Sequence, residues 1–465
     1  MNKIPFIQGE APNVTFPLNL YFQPEGLSGK NAMMATPGLT ARVTSHVAQV
    51  VRGIVTDKNK DFLYVVVGSL VYCVDKNWVS IKAAGTIDTS TGPVYMSVNL
   101  TQIMIVDGVA GYIVTKSGIV VTVTKVTDAG FVVPGTLTFQ DNYFIVNKKD
   151  SFYFQISSLS DGLVWDALDL GSAEGNPDNI LRVISDHRQL FLFGSSSAEI
   201  FYNSGNATFP FERFPDVFIE GGIDAPQSLT IADNSLVYLD DTKIVRRLDG
   251  FVPKVLLQPQ FNKLVSGFAT TSDMIGFTYT DRGNIFYVMT FPSVNKTYVY
   301  NFATGFIHQW SSGLTGGRHR SNCCVFFNDK YVVGDYENGI LYTLENDVYT
   351  DNGSIIVWKY ISSDYAMGNN MLFHKELQIG FDVGVGLVSG QGEDPQVMLR
   401  YSDNGMKTWS NEIWRSLGKL GEYKTRVRFT RLGGSRTRRY ELSGSDPVPR
   451  SFYEANIDLG GIPRG

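Results

Sequence analysis

The stretch Asp61-Phe62-Leu63-Tyr64-Val65-Val66-Val67-Gly68-Ser69-Leu70-Val71-Tyr72-Cys73-Val74-Asp75 decides the fold. Two runs rich in β-formers flank a Gly-Ser break, which reads as a β-hairpin with a tight turn. Similar units recur at 101–115, 141–155, 187–203, 233–247, 272–288 and 328–343. Tyr72, Tyr112, Tyr153, Tyr202, Tyr287 and Tyr342 close six of the seven second strands, and Arg246 fills the remaining slot. Successive anchors stand 40, 41, 49, 44, 41 and 55 residues apart. A repeat of this length built only of strands predicts an all-β chain, a β-propeller of six or seven blades.

Composition agrees. Aromatic residues make up 13% of the chain, 46 of its 465 residues are Gly, and no long segment has apolar residues at helical spacing. That balance favours strands and turns. The three cysteines, Cys73, Cys323 and Cys324, are too few for a disulfide framework and read as free thiols of a reducing cytoplasm. The first residues lack a secretory apolar core, and no apolar run is long enough to span a bilayer, so a soluble protein without a membrane segment is expected.

The pattern divides the chain into three. Residues 1–46, with Pro5, Pro12, Pro17, Pro24 and Pro37, predict an extended N-terminal arm that lies against the body or a neighbour. Residues 47–363 carry the hairpin series, and Val47 to Thr56 is expected to complete the last blade and close the ring. Residues 364–465 read as a C-terminal antiparallel β domain, a sandwich. Lys375 to Val385 alternates in part, and Lys424 to Phe429 alternates cleanly, with Lys424, Arg426 and Arg428 on one face and Thr425, Val427 and Phe429 on the other.

Charge is unevenly spread. Between residues 399 and 450 there are twelve basic and five acidic residues, against a net charge of −5 for the whole chain. The rest of the chain therefore carries an excess of twelve acidic residues. An acidic body with a basic end predicts an oriented, charge-complementary contact. Lys424, Arg426, Arg428, Arg431, Arg436, Arg438 and Arg439 are the candidate interface. A solvated strand face, an acidic protein surface and nucleic acid all remain open for them. Protein ranks above DNA, because arginines on a strand face can take carboxylates in pairs and the acidic body supplies them.

Catalytic chemistry finds little purchase. A glycosidase needs two facing carboxylates. Asp240-Asp241, Asp216/Glu220 and Asp335/Glu337 are available on paper and read as turn or solvated residues. His46, His187, His308, His319 and His374 lack metal spacing. Gly26 to Asn31 lacks the P-loop pattern, Gly384 to Gly390 misses the dinucleotide fingerprint, and there is no serine nucleophile elbow. No catalytic residue, metal or cofactor is expected. Ser402, Asp403, Gly405 and Trp409 are similar to the Asp box of sialidase propellers with one residue too many, and read as a structural turn.

The segment from Arg400 through Ser402-Asp403, Gly405, Thr408-Trp409-Ser410, Glu412, Trp414-Arg415 and Leu417-Gly418 resembles the C-terminal signature of the packaged-DNA stabilisation proteins of short-tailed phages, also called tail hubs or nozzles. Gly421, Tyr423, Arg426, Arg428, Arg431, Gly433 and Ser445 to Val448 continue it. In the arm, Asn19-Leu20-Tyr21, Pro24-Glu25, Thr36 to Leu39 and Arg52-Gly53 agree. Arg436, Arg438 and Arg439 beside Gly433-Gly434-Ser435 do not map onto the family pattern. The resemblance implies a structural virion protein in the phage tail, assembled in the host cytoplasm. It implies a hexameric ring below the head-tail adaptor that retains packaged DNA and later passes it. It also implies tail fibres or tailspikes and a needle or plug as partners. The alternative is a carbohydrate-binding or glycan-cleaving propeller at the tail tip. A DNA conduit should not grip phosphates, so acidic propeller surface is expected to face the bore.

Overall fold

The computed structural model describes residues 2–3, 15–27, 30–176, 178–314, 316–367 and 370–460. It consists of two compact units, 41–295 with 320–344, and 1–40 with 296–319 and 345–465. Pro5 and Pro12 of the expected arm, and Gly29 of the rejected P-loop, lie outside the described residues.

The first unit contains all seven hairpins, each as part of an antiparallel module. The quoted stretch forms Phe62–Val67 and Leu70–Asp75, paired from Phe62↔Asp75 to Val67↔Leu70, with Gly68 supplying the positive φ of the turn. Val51–Thr56 precedes this pair and Ser80–Thr86 follows it, giving a four-stranded blade. Four more complete blades follow. The second runs Tyr95–Val98, Ile103–Val106, Gly111–Ser117 and Val120–Lys125. The third runs Pro134–Gln140, Tyr143–Lys148, Tyr153–Ile156 and Leu170–Ser172. The fourth runs Ile180–Asp186, Gln189–Gly194, Ser197–Asn203 and Phe211–Glu220. The fifth runs Thr230–Ala232, Ser235–Leu239, Val245–Asp249 and Val252–Val255. The sixth module contributes Ile275–Asp281 and Asn284–Phe291, and the seventh Ser321–Phe327, Lys330–Asp335 and Leu341–Glu345.

Packing follows from which strands are apolar on both faces. The second strand of each module is almost wholly buried, as in Phe62–Val67 and Gln189–Gly194. Alternate residues of such a strand serve two different interfaces. Val66 joins Ile105 and Val114 of the second blade, whereas Val65 and Val67 join Phe327, Val332 and Leu341 of the seventh. The other blades meet in the same way. The second packs on the third through Met104 and Phe144, the third on the fourth through Phe154 and Leu192, and the fourth on the fifth through Phe193 and Tyr238. Thr278 Oγ1 donates to the carbonyl of Ile231 at 3.2 Å, and Tyr279 packs edge-on against Tyr331, carrying the chain of contacts through the sixth module. With the seventh module back against the first, the ring closes as a seven-bladed β-propeller.

Two expectations change in detail. Val51–Thr56 is the inner strand of the first blade and does not complete the last one. Beside Leu341–Glu345 stand instead Arg42, whose Nε donates to Thr343 Oγ1 at 3.0 Å, and Val43, which shares the apolar cluster of Leu341. Tyr287 lies on a second strand, whereas Tyr72, Tyr112, Tyr153, Tyr202 and Tyr342 lie on third strands, so the tyrosine series is out of register there. The turn tips give a better period. Asp141-Asn142, His187-Arg188, Asp233-Asn234 and Asn328-Asp329 all have two successive positive φ values, as a two-residue hairpin turn requires. Asp141, His187 and Asp233 are 46 residues apart, as are Arg282 and Asn328. His187 and Arg188 are unusual residues for that conformation. Side chains tie them to neighbouring tips: His187 Nε2 lies 3.1 Å from Asn234 Oδ1 and Arg188 Nη2 lies 3.3 Å from Asp141 Oδ1.

The tyrosine slot also has a physical role. Tyr112 OH donates to Asp107 at 3.3 Å and Tyr342 OH to Asp335 at 3.0 Å. In the fifth blade Arg246 Nε donates to Asp240 at 2.6 Å, so Arg246 fills the same place with a charged donor. Each Asp also accepts backbone N–H groups of its own turn. Arg52 provides a second kind of tie. Its buried guanidinium donates to the carbonyls of Gly68, Thr89, Thr91 and Gly92, fixing the loop between the first two blades.

The second unit is built around a sandwich. One sheet runs Leu20–Leu27, Lys30–Ala35, Phe452–Gly460, Leu372–Phe381 and Val427–Thr430. The other runs Trp358–Ile361, Thr437–Gly444, Gln396–Ser402 and Ile413–Ser416. Between them lie Leu20, Met33, Trp358, Leu377, Ile379, Leu399, Phe429, Leu442 and Phe452. The N-terminal arm is therefore partly strand: its hairpin joins the first sheet, and Leu20 and Met33 enter the core. Asn19 takes a left-handed φ of 52° and clamps two segments, donating to the carbonyls of Ser311 and Val357 at 3.1 and 2.8 Å.

The seam that closes the ring leaves no spare volume. A Cβ on Gly334 would lie 2.3 Å from Val51 Cγ1. Gly334→Ala is expected to lower stability by about 1–3 kcal/mol through overpacking, measured by urea unfolding. An unchanged midpoint would show that the seam is loose.

Candidate functional site

The seven basic candidates fall into three environments. Arg438 and Arg439 are buried inside the sandwich. Arg438 holds both oxygens of Asp403 at 2.6 and 2.8 Å, donates to the carbonyl of Leu432, and lies 4.0 Å from the ring of Tyr401. Arg439 holds both oxygens of Asp364 at 2.7 Å. These two cannot reach a partner and are removed from the outward set. Arg428 is half-buried, and its Nε lies 3.7 Å from Glu376. Lys424, Arg426, Arg431 and Arg436 are exposed.

The sequence expected Lys424 to Phe429 as one strand. The strand is Val427–Thr430, and Lys424 and Arg426 stand in the turn that leads into it. Alternation survives where the strand exists, with Val427 and Phe429 in the core and Arg428 outside it. Lys375 to Val385 is likewise shorter, ending at Phe381. Gly384, at φ +73°, lies in the loop that follows.

Lys424, Arg426 and Arg431 flank one edge strand, and Arg436 stands apart, between Gly434–Ser435 and Thr437–Gly444. Val427–Thr430 ends its sheet, and Ile413–Ser416 ends the facing one. Arg415 links the two, its Nε donating to the Arg428 carbonyl at 2.7 Å and its guanidinium lying over Phe429. Trp414 on the same edge is 51% exposed and Tyr423 is 72% exposed. Aromatic and arginine side chains at an unpaired sheet edge are the composition of a protein contact. Sequence reading found the arginines and missed Trp414 as an outward residue, since one residue's orientation on an edge strand is set by pairing.

The Asp-box-like segment forms a tight turn by other means. Ser402 Oγ accepts from the N–H of Met406 and Asn404 Oδ1 from that of Thr408, both at 3.0 Å. Gly405 supplies a φ of +68°. Asp403 is turned away to Arg438, and Trp409 lies half-buried with the Arg400 guanidinium over its ring.

Of the candidate carboxylate pairs, Asp335 and Glu337 share one guanidinium nitrogen of Arg320, at 3.2 and 3.9 Å, which makes them an ion-paired turn. Asp240 and Asp335 are buried turn anchors, whereas Asp216 and Glu220 are exposed on Phe211–Glu220. Among the described residues no cluster of His, Cys, Asp or Glu could hold a metal ion. A groove of about 270 Å³ between the fourth and fifth blades is lined by His187, Phe191, Asn234, Leu236 and Phe251. His187 spends its ring nitrogens on Asp186 and Asn234 there. Burial pushes the thiols of Cys73 and Cys323 up, to about 11 and about 12, which leaves them poor nucleophiles.

Residues 2–349 match the family model described as Bacteriophage P22 Gp10, beta-propeller, and residues 358–460 the one described as Bacteriophage P22 Gp10, beta-sandwich. No curated protein matches the chain. Among solved structures, virginiamycin B lyase from Staphylococcus aureus is 10% identical over 70% of this chain and 99% of its own, with a TM-score of 0.45. YCF48 from Cyanidioschyzon merolae is 9% identical over 66% of this chain and 99% of its own, at 0.43. The extracellular domain of BT4673 from B. thetaiotaomicron is 10% identical over 72% of this chain at 0.36, and the chain spans about half (52%) of its length.

Beneath the edge, His374 is buried between Tyr440 OH at 2.7 Å and Ser435 Oγ at 3.0 Å. Desolvation lowers its pKa from 6.5 to about 4. The unfolded chain therefore takes a proton that the folded chain refuses. The stability from this group is complete above pH 6.5 and is lost as the pH falls towards 4. The expected loss is on the order of 2 kcal/mol across that window. Comparing urea midpoints of the parent and His374→Gln at pH 7 and pH 4.5 checks it; the variant should show the shallower decline.

Proposed function

The chain belongs to the Bacteriophage P22 Gp10 family of phage stabilisation proteins, and from that premise we propose how its two units serve the tail. It is a structural virion protein, a tail hub that holds packaged DNA and lets it out. The glycan-cleaving alternative receives no support from these matches.

Our reading is that several copies form a closed ring, a hexamer, in which the sandwich edge of one subunit meets acidic surface of the next. The carrying observation is the split among the arginines. Arg438 and Arg439 are satisfied internally, whereas Lys424, Arg426, Arg431 and Arg436 stand exposed, the first three flanking the edge strand Val427–Thr430. Heterologous contacts of this kind close into rings when the rotation allows. The head-tail adaptor, fibres or tailspikes, and a needle or plug would take the remaining surfaces, and assembly would occur in the host cytoplasm. The DNA path runs between subunits and not along the propeller axis. A side chain of the fourth blade, Arg182, reaches the ring of Tyr95 in the second at 4.2 Å, which leaves no room there for a duplex. The acidic excess of the chain outside the basic segment suits a bore that does not hold phosphates.

Reversing Arg426 and Arg431 together to Glu should abolish ring formation, seen as particle mass in solution, while the circular dichroism of the subunit stays unchanged. Arg428 is left alone in this test because Glu376 holds it. Intact rings from the double variant would remove the sandwich edge from the interface.

A further inference from the structure

We propose that the axial channel of the propeller is a binding site for a small oxyanion, held by Arg182. The inner strands of the modules are only partly buried, in contrast to the second strands, as expected of strands whose free edge borders the axis of a propeller. Their charged residues are few. Arg52 is bonded to four backbone carbonyls. Asp186 and Asp281 stand at the ends of their strands, next to the turns. Arg182 is different. It lies inside Ile180–Asp186, next to a register shift between Ile180 and Arg182. Its Nε and Nη1 are buried and have no acceptor.

The guanidinium is nevertheless fixed in place. It lies 4.2 Å from the centroid of Tyr95, which comes from the second blade, so the stack crosses the front of the third. Its neighbours on the strand are apolar and face other blades: Val183 packs in the cluster of the third and fourth, Leu181 and Ile184 in that of the fourth and fifth. No carboxylate among the described residues pairs with it. Desolvation lowers the pKa of Arg182, against a smaller opposing effect of Tyr95. A buried cation without a counter-charge is costly, and it persists where something compensates it. A guanidinium is planar and presents paired N–H groups, which suits a carboxylate or a tetrahedral oxyanion better than a halide.

The test is a thermal unfolding titration of the full chain with sodium sulfate or sodium acetate, against sodium chloride at equal ionic strength. Saturable stabilisation of the parent by several degrees is expected in at least one oxyanion. Sulfate alone would identify a tetrahedral anion, acetate alone a carboxylate. Arg182→Gln and Arg182→Met should lose the response, and Arg182→Met should unfold at a higher temperature than the parent in chloride, since it lacks the uncompensated charge. If Arg182→Met does not fold, Arg182→Gln carries the comparison. The same oxyanion response in parent and variants would mark an adventitious ion effect and overturn the site, as would no response in the parent.

Discussion

A four-stranded antiparallel blade whose middle strands are apolar on both sides cannot cover itself. Every blade of this propeller depends on the two beside it, and the first depends on the seventh. Val65 and Val66 are adjacent residues of one strand, yet they are buried by different neighbours, the seventh blade and the second. Stability is therefore a property of the closed ring more than of any module. The polar ties act at the same boundaries. Arg52 fixes the loop between the first two blades, and Arg188 and His187 link the turn tips of the third, fourth and fifth.

The sandwich shows how one basic segment can serve two ends. Arg438 and Arg439 are consecutive, and both are buried beside carboxylates that come from distant sequence, Asp403 and Asp364. Removing either carboxylate would strand a cation in the core, where unpaired charge is strongly unfavourable. A few residues away, Arg431 and Arg436 meet solvent. The strand pairing decides between the two fates. Arg438 and Arg439 lie in Thr437–Gly444, covered by strands on both sides, whereas Arg431 follows the last strand of its sheet. Glu441 repeats the buried case with Arg400 and Lys359, so the interior of this sandwich holds a set of paired charges.

The hairpin repeat, the all-strand character and the basic C-terminal segment were set by the sequence alone. They rest on local facts: β-branched and aromatic runs, turn residues at short intervals, and charge counted along the chain. The tertiary structure alone decided which strand stands innermost, where the tyrosine series slips at Tyr287, and why Arg246 can replace a tyrosine by bonding Asp240. It also decided that Asp403 is a partner of Arg438 and not the cap of its own turn, and that Arg182 is left buried against Tyr95. The physical reason is the range of the interactions. Pleat and turn preferences act over a few residues and are written in order along the chain. Burial, ion pairing and seam closure join residues tens or hundreds of positions apart, and these partners exist only once the ring and the sandwich have formed.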